Sequence, residues 1–171
     1  MKYGILTYQK STRPGSKNWC NLGDPIQSYA MVRLYEEIGI NEKELIRVSR
    51  YQTKEYDGEY IVLPYNCYNM IFNQYKHTFN SLPVSDKIIP VFTSFHLHSR
   101  VISKDILYQF KTYEPIGCRD EETMHLLRKH GIRAYLSGCV TATLPKRKYT
   151  PQDGKVFLVD VPKELIQYIP D

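Results

Sequence analysis

No apolar stretch of this 171-residue sequence approaches the ~20 residues of a membrane span. Cysteine is scarce: Cys20, Cys67, Cys118 and Cys139 are widely spaced, with no C-x-x-C pair. That spacing argues against a zinc knuckle or a thioredoxin-like motif and leaves free buried thiols as the expectation. Runs of one charge sign are also missing. Lys and Arg are interspersed with Asp and Glu, so the formal charge of +5 forms no basic stripe of the nucleic-acid-binding kind. The one run, Lys146-Arg147-Lys148, reads as a solvated linker. The opening residues Met1 to Ile5 enter a strand pattern directly, without the apolar core or cleavage site of a secretory leader. These absences give the expectation of a cytoplasmic protein, at most peripheral to the inner face of a membrane, with no membrane span and no nucleic-acid partner.

What is present belongs to a folding chain. Hydrophobic residues make up 42% and charged residues 24%, near the globular average, and the length favours one domain, or one with a short extension, over two complete ones. The 15 Tyr against 6 Phe give many side chains that sit half in a core and half in water. They suit ordinary surface edges first and sugar faces as the alternative.

Tyr3 to Tyr8 reads as a buried strand followed by a long polar loop, Gln9 to Gly23. A helix follows: Asp24 is placed to cap it, Pro25 suits its first turn, and Ile26, Ala30, Leu34 and Ile38 recur at helical spacing. Gly39-Ile40 ends it as a Schellman cap, with Ile40 folding back on Tyr35. Leu45 to Val48 and Tyr60 to Leu63 read as strands, Asn66 to Phe79 as a loosely patterned helix, Lys87 to Phe95 as a strand made imperfect by Pro90, and Ser103 to Lys111 as a helix. Glu114 to Cys118 is a strand, Asp120 to His130 a helix closed by Gly131-Ile132, and Arg133 to Leu136 a further strand. Residues 1–145 read as one N-terminal unit, 146–155 as a polar linker, and 156–171 as a strand and helix that begin an extension or, if the resemblance below holds, a second lobe. Strands alternating with helices imply right-handed crossovers, a parallel sheet and helices on both faces.

Four constellations follow strands, where an α/β sheet binds its ligands. In Asn21-Leu22-Gly23-Asp24-Pro25-Ile26-Gln27-Ser28, Gly23 lets the backbone approach a ligand at a helix start, while the plainer reading is a capped helix alone. The charge of Asp24 suits a neutral sugar hydroxyl better than a phosphate. In Gly117-Cys118-Arg119-Asp120-Glu121-Glu122-Thr123, the Arg119 fork matches a carboxylate or phosphate, or else pairs with one of the three acids that follow it. In Thr93-Ser94-Phe95-His96-Leu97-His98, His96 is a candidate to hydrogen-bond a substrate; the two histidines lack the further ligands of a metal site, so none is expected. In Ser137-Gly138-Cys139-Val140-Thr141-Ala142-Thr143-Leu144, Gly138 again lets backbone approach a ligand, and Cys139 reads as a packed thiol.

Taken in order from Tyr3 to Leu144, these motifs resemble the polysaccharide pyruvyl transferase family. The resemblance implies a Rossmann-like lobe of a GT-B-type two-lobe enzyme, transferring a pyruvyl group from phosphoenolpyruvate to a sugar or lipid-linked glycan in cell-surface polysaccharide biosynthesis, with no further cofactor. Arg119 matches the family's first-lobe arginine that contacts phosphoenolpyruvate, and Asn21 to Asp24 lines the acceptor side. The family's second lobe supplies another arginine and a histidine as general acid, so no catalytic residue is assigned within this chain, and a second-lobe partner or a homo-oligomer is left open. A Gly-rich segment usual in many members is replaced here by Ser94-Phe95-His96. The alternatives are a catalytically silent sugar- or anion-binding module and a nucleotide-sugar glycosyltransferase lobe.

Overall fold

The structure, a computed structural model, describes residues 1–8, 22–71, 81–99 and 102–146. It is an α/β fold with strands β1 (Lys2–Thr7), β2 (Ile46–Ser49), β3 (Ile61–Tyr65), β4 (Tyr68–Ile71), β5 (Ile88–Phe92), β6 (His96–Ser99), β7 (Ile116–Cys118) and β8 (Ala134–Leu136). The helices are α1 (Gly23–Glu37), α2 (Lys104–Thr112) and α3 (Glu121–Lys129). Four strands form a parallel sheet in the order β2-β1-β3-β5. The parallel pair β7-β8 is tied to the segment after β5 by a bridge between Phe95 and Cys118, and β4 pairs with β6, also parallel. Pro90, which cannot donate to a ladder, lies on the last strand of the four, where a missing N–H is tolerated.

Alternation along β1 sends Ile5 and Leu6 to opposite faces. Ile5 packs with Ala30, Met31 and Tyr35 of α1. Leu6 belongs to the larger core with Leu63, Phe92, Ile106 and Phe110 of α2, and Leu127 of α3. α1 therefore lies on one face and α2 and α3 on the other, while β5 leaves Ile89 and Val91 exposed. Edge-to-face rings consolidate the larger core, with Phe110 at 5.2 Å from Phe92 and 5.6 Å from Phe95 between centroids.

Both expected helix ends form. The Ile40 N–H donates to the Tyr35 carbonyl at 2.9 Å and the Gly39 N–H to Glu36 at 3.0 Å; Ile132 and Gly131 repeat the pattern on Leu127 and Arg128 at 3.1 and 2.9 Å. Two expectations are corrected. The spacing of Ile26, Ala30, Leu34 and Ile38 marks a helix that forms, but only its middle is covered: Ala30 is buried and Leu34 partly so, Ile26 is 44% and Ile38 71% exposed, and Gln27, Met31 and Tyr35 join Ala30 inside. The helix is rotated so that Tyr35 can donate to the Gly4 carbonyl at 3.1 Å and Gln27 can enter the sheet edge. Nor is Asn66 to Phe79 a helix throughout, because Tyr68–Ile71 pairs residue for residue with His96–Ser99. Pairing with β6 overrides a weak local preference there; residues 72–80 lie outside the described residues, as do the linker beyond Lys146 and 156–171.

The strand order places a switch point between β1 and β3, because the chain leaves β1 for β2 on one side and returns to β3 on the other. The paired register between them is also short. β1 pairs with β3 only at Lys2↔Ile61 and Tyr3↔Val62, whereas β1 follows β2 to Thr7↔Ser49 and β3 follows β5 to Tyr65↔Phe92. Pro64, with no N–H to offer β1, lies in the stretch of β3 where that pairing has ended.

Candidate functional site

Parallel pairing aligns the carboxyl ends of the strands, and the expected site residues fall along that edge in two groups. The first is built where β5, β7 and β8 end. The Ser94 N–H donates to Ser137 Oγ at 3.0 Å, Ser94 Oγ accepts from the Val140 N–H at 2.9 Å, and Ser137 Oγ donates to the Cys118 carbonyl at 3.0 Å. The Arg119 N–H donates to the Phe95 carbonyl at 2.8 Å. This stitching brings Arg119 and Gly138, which follow β7 and β8, beside the Ser94-Phe95 segment that leads into His96 at the start of β6. Gly138 is left-handed, at φ 72°, and nothing lies within 4 Å of where a Cβ would stand, so the backbone is open to an approaching group.

Asp120 organises this group. Its Oδ1 accepts from the Thr123 N–H at 2.8 Å, capping α3, and its Oδ2 is hydrogen-bonded to His96 Nδ1. Thr123 Oγ1 accepts from the Leu97 N–H at 3.1 Å, fixing the strand that carries His96. Burial acts to raise the Asp120 carboxyl, but the hydrogen bonds from His96 and Thr123, together with the His96 charge, outweigh it and hold it below its ordinary value. With Asp120 so engaged, the expected alternative of an ion pair to Arg119 is not realised. Among the described residues the Arg119 guanidinium has no ion pair, although Asp120, Glu121 and Glu122 follow it. Its charge, after hydrogen bonds from Thr141 and Ser94, helps lower the half-exposed Cys139 thiol against the opposing effect of burial. Cys139 Sγ lies 3.0 Å from Thr141 Oγ1. Cys67 and Cys118 are free buried thiols, and burial pushes Cys118 up to about 12.

The second group lies around the ends of β1 and β3. Gly23 and Asp24 lie in the first turn of α1, while Asn21 lies outside the described residues. Asp24 does not cap the helix, since the cap position is Leu22. Instead its Oδ1 stands 3.7 Å from a guanidinium nitrogen of Arg50, which is 4% exposed and lies 5.5 and 5.3 Å from the ring centroids of Tyr8 and Tyr51. The pull of a buried arginine decides the role of Asp24 over the local preference for capping. Burial raises the Tyr8 phenol well above its ordinary value, with Cys67 and Asp24 adding and Arg50 opposing.

The two groups meet through the chain between them, where the His96 N–H donates to the Cys67 carbonyl at 3.3 Å. α1, which carries Gly23 and Asp24, packs on the Val140–Thr143 turn that follows Gly138. Sequence reasoning missed Asp120 as an orienting group, although Asp three residues before Thr is a capping signal that already argued against its pairing with Arg119. It missed Arg50 because its pairing with Asp24 arises only when the segment after β2 is laid against α1. No group of three His, Cys, Asp or Glu side chains suited to a metal occurs among the described residues, and no helix among them is long and apolar enough to cross a membrane. No protein-family model, curated protein or solved structure matches the chain.

Proposed function

We propose that this chain is the phosphoenolpyruvate-holding lobe of a pyruvyl transferase that acts on a sugar. The observation that carries the reading is Arg119: a guanidinium at the carboxyl edge, beside the open backbone of Gly138, left without an acid partner among the described residues while its neighbour Asp120 is committed to His96. An arginine fork in that setting suits a carboxylate or phosphate, and phosphoenolpyruvate carries both. The order of the motifs from Tyr3 to Leu144 adds the family resemblance.

In the transfer, a proton is added to the methylene carbon C3, C2 accepts the oxygen of a sugar hydroxyl whose proton is lost, and the phosphate leaves with the C2–O bonding pair. A second hydroxyl attacks the resulting oxocarbenium at C2 and loses its proton, closing a ketal. Arg119 offsets anionic charge on the donor throughout. The general acid belongs to a second lobe, which also closes the site against water. The acceptor is a sugar of a cytoplasmic polysaccharide precursor, with no cofactor beyond the donor.

Calorimetric titration of phosphoenolpyruvate into the wild-type chain and Arg119→Lys tests the reading. Lysine keeps the charge and loses the fork, so affinity falls by about tenfold or more while thermal unfolding is unchanged. Equal affinity in the two proteins removes Arg119 from the site, and binding of phosphoenolpyruvate to neither removes the reading.

A further inference from the structure

Ser94 is the one residue other than glycine, among those described, whose backbone is left-handed, at φ 51°. A side chain is strained at that angle, whereas glycine would adopt it without cost. Ser94 is also only 1% exposed, so contact with solvent does not hold it there. What serine adds over glycine is its hydroxyl. Ser94 Oγ accepts from the Val140 N–H at 2.9 Å, and the Ser94 N–H donates to Ser137 Oγ at 3.0 Å. A single residue beyond β5 thus grips the segment after β8 at two points, one on either side of Gly138.

That grip bears on Arg119. Ser137 Oγ donates to the Cys118 carbonyl at 3.0 Å, and the Gly138 N–H donates to the same carbonyl at 3.2 Å. Cys118 precedes Arg119, whose own N–H donates to the carbonyl of Phe95, the residue after Ser94. Gly117 lets the segments come this close, since a Cβ on it would stand 3.1 Å from the Phe92 carbonyl oxygen and 3.2 Å from Ser137 Cβ. The arginine charge reaches the turn as well. Against the effect of burial, and after hydrogen bonds from Thr141 and Ser94, it helps to hold down the thiol of Cys139 between Gly138 and Val140. The Gly138-Cys139 turn and Arg119 are therefore held side by side, with Ser94 at the joint.

Backbone strain in a buried residue persists where the surrounding bonds over-determine it, and such residues collect at ligand sites. We infer that Ser94 is a positioning residue for the anion site at Arg119: its two hydrogen bonds hold the Gly138-Cys139 turn where a carboxylate or phosphate on the guanidinium meets it. Ser94 acts on affinity by keeping turn and arginine preorganised, not by touching the ligand. The inference rests on the donor site proposed at Arg119 and adds what sets its geometry.

The test measures binding of phosphoenolpyruvate and of inorganic phosphate by calorimetry, beside thermal unfolding, in the wild-type chain, Ser94→Ala, Ser94→Gly, Ser137→Ala and the Ser94→Ala/Ser137→Ala double variant. Ser94→Ala loses the bond to Val140 and binds both anions about tenfold more weakly, the worth of one hydrogen bond. Ser94→Gly relieves the strain and unfolds at a higher temperature than Ser94→Ala, yet binds no better, because both lack the hydroxyl. Ser137→Ala also weakens binding, and the double variant loses less than the product of the separate losses, since both act through one joint. Tyr35→Phe, which removes the hydrogen bond to the Gly4 carbonyl, lowers the unfolding temperature and keeps wild-type affinity. Should Ser94→Ala fail to fold, Ser94→Gly and Ser137→Ala decide. Affinity that follows unfolding temperature across the set, or wild-type affinity in Ser94→Gly, overturns the inference and leaves the donor reading in place. A wild-type chain that binds neither anion overturns both.

Discussion

The two halves of the strand-end edge solve opposite problems. Around β5, β7 and β8 the polar side chains are tied down in two sets, Ser94 with Ser137 and Asp120 with His96 and the Thr123 N–H, and Arg119 has no ion pair among the described residues. Around β1 and β3 the charges are paired, Asp24 with Arg50, and the Gln27 and Asn66 amide oxygens are the groups left over. One half thus holds spare positive charge in reach of solvent, and the other holds spare neutral acceptors under cover.

The largest effect expected from breaking this contrast is at Arg50. Arg50→Leu leaves Asp24 without its partner in a mostly buried place and costs about 3 kcal/mol in urea unfolding, whereas the Arg50→Leu/Asp24→Leu double variant recovers most of that loss. Next is Asp120. Asp120→Ala removes the α3 cap together with the His96 partner and costs about 2 kcal/mol, while Asp120→Asn keeps the cap and costs less than about 1 kcal/mol. Equal losses from the two substitutions contradict a dual role for Asp120. Gly138→Ala meets no neighbour, so its cost is backbone strain of about 1 kcal/mol in thermal unfolding.

Acid pH sharpens the contrast from outside it. The Glu114 carboxyl, which accepts from the Arg133 N–H at 2.7 Å and pairs with Lys111, is held at about 2 against an ordinary 4.5. A depressed carboxyl stabilises the fold fully above its unfolded value, and that contribution is lost as pH falls from about 4.5 toward 2. Asp120 acts in the same sense with its own lowered value. Glu114→Gln flattens the fall of the urea midpoint over this window, and Asp120→Asn does so to a smaller extent. The stitching at the β5, β7 and β8 ends contains no acid besides Asp120, so a double variant that retains the full slope contradicts the assignment.

The fold was legible where apolar runs and helix ends speak locally. β1, the Schellman caps at Gly39-Ile40 and Gly131-Ile132, and the α3 start at Asp120 were all readable, because each depends on residues within a few positions. The failures share a cause. The rotation of α1, the strand at Tyr68–Ile71 and the ion pair of Asp24 are decided by partners twenty or more residues away, which periodicity does not carry. For the site, Arg119 and Gly138 could be placed because each follows a strand, whereas His96 opens β6 and Gly23 opens α1. That Gln27 and Asn66 meet was hidden in two motifs no spacing rule connects.

The central claim, that this edge carries an anion site at Arg119 distinct from the group around Asp24 and Arg50, is met most directly by one titration. Phosphoenolpyruvate is added to the 15N-labelled chain while backbone and side-chain signals are followed. The account predicts saturable shifts at the Arg119 Nε–H and the Gly138 amide, with the Gln27 and Asn66 side-chain amides unmoved. Shifts concentrated at Gln27 and Asn66 with Arg119 still, or no saturable shift anywhere, contradict it.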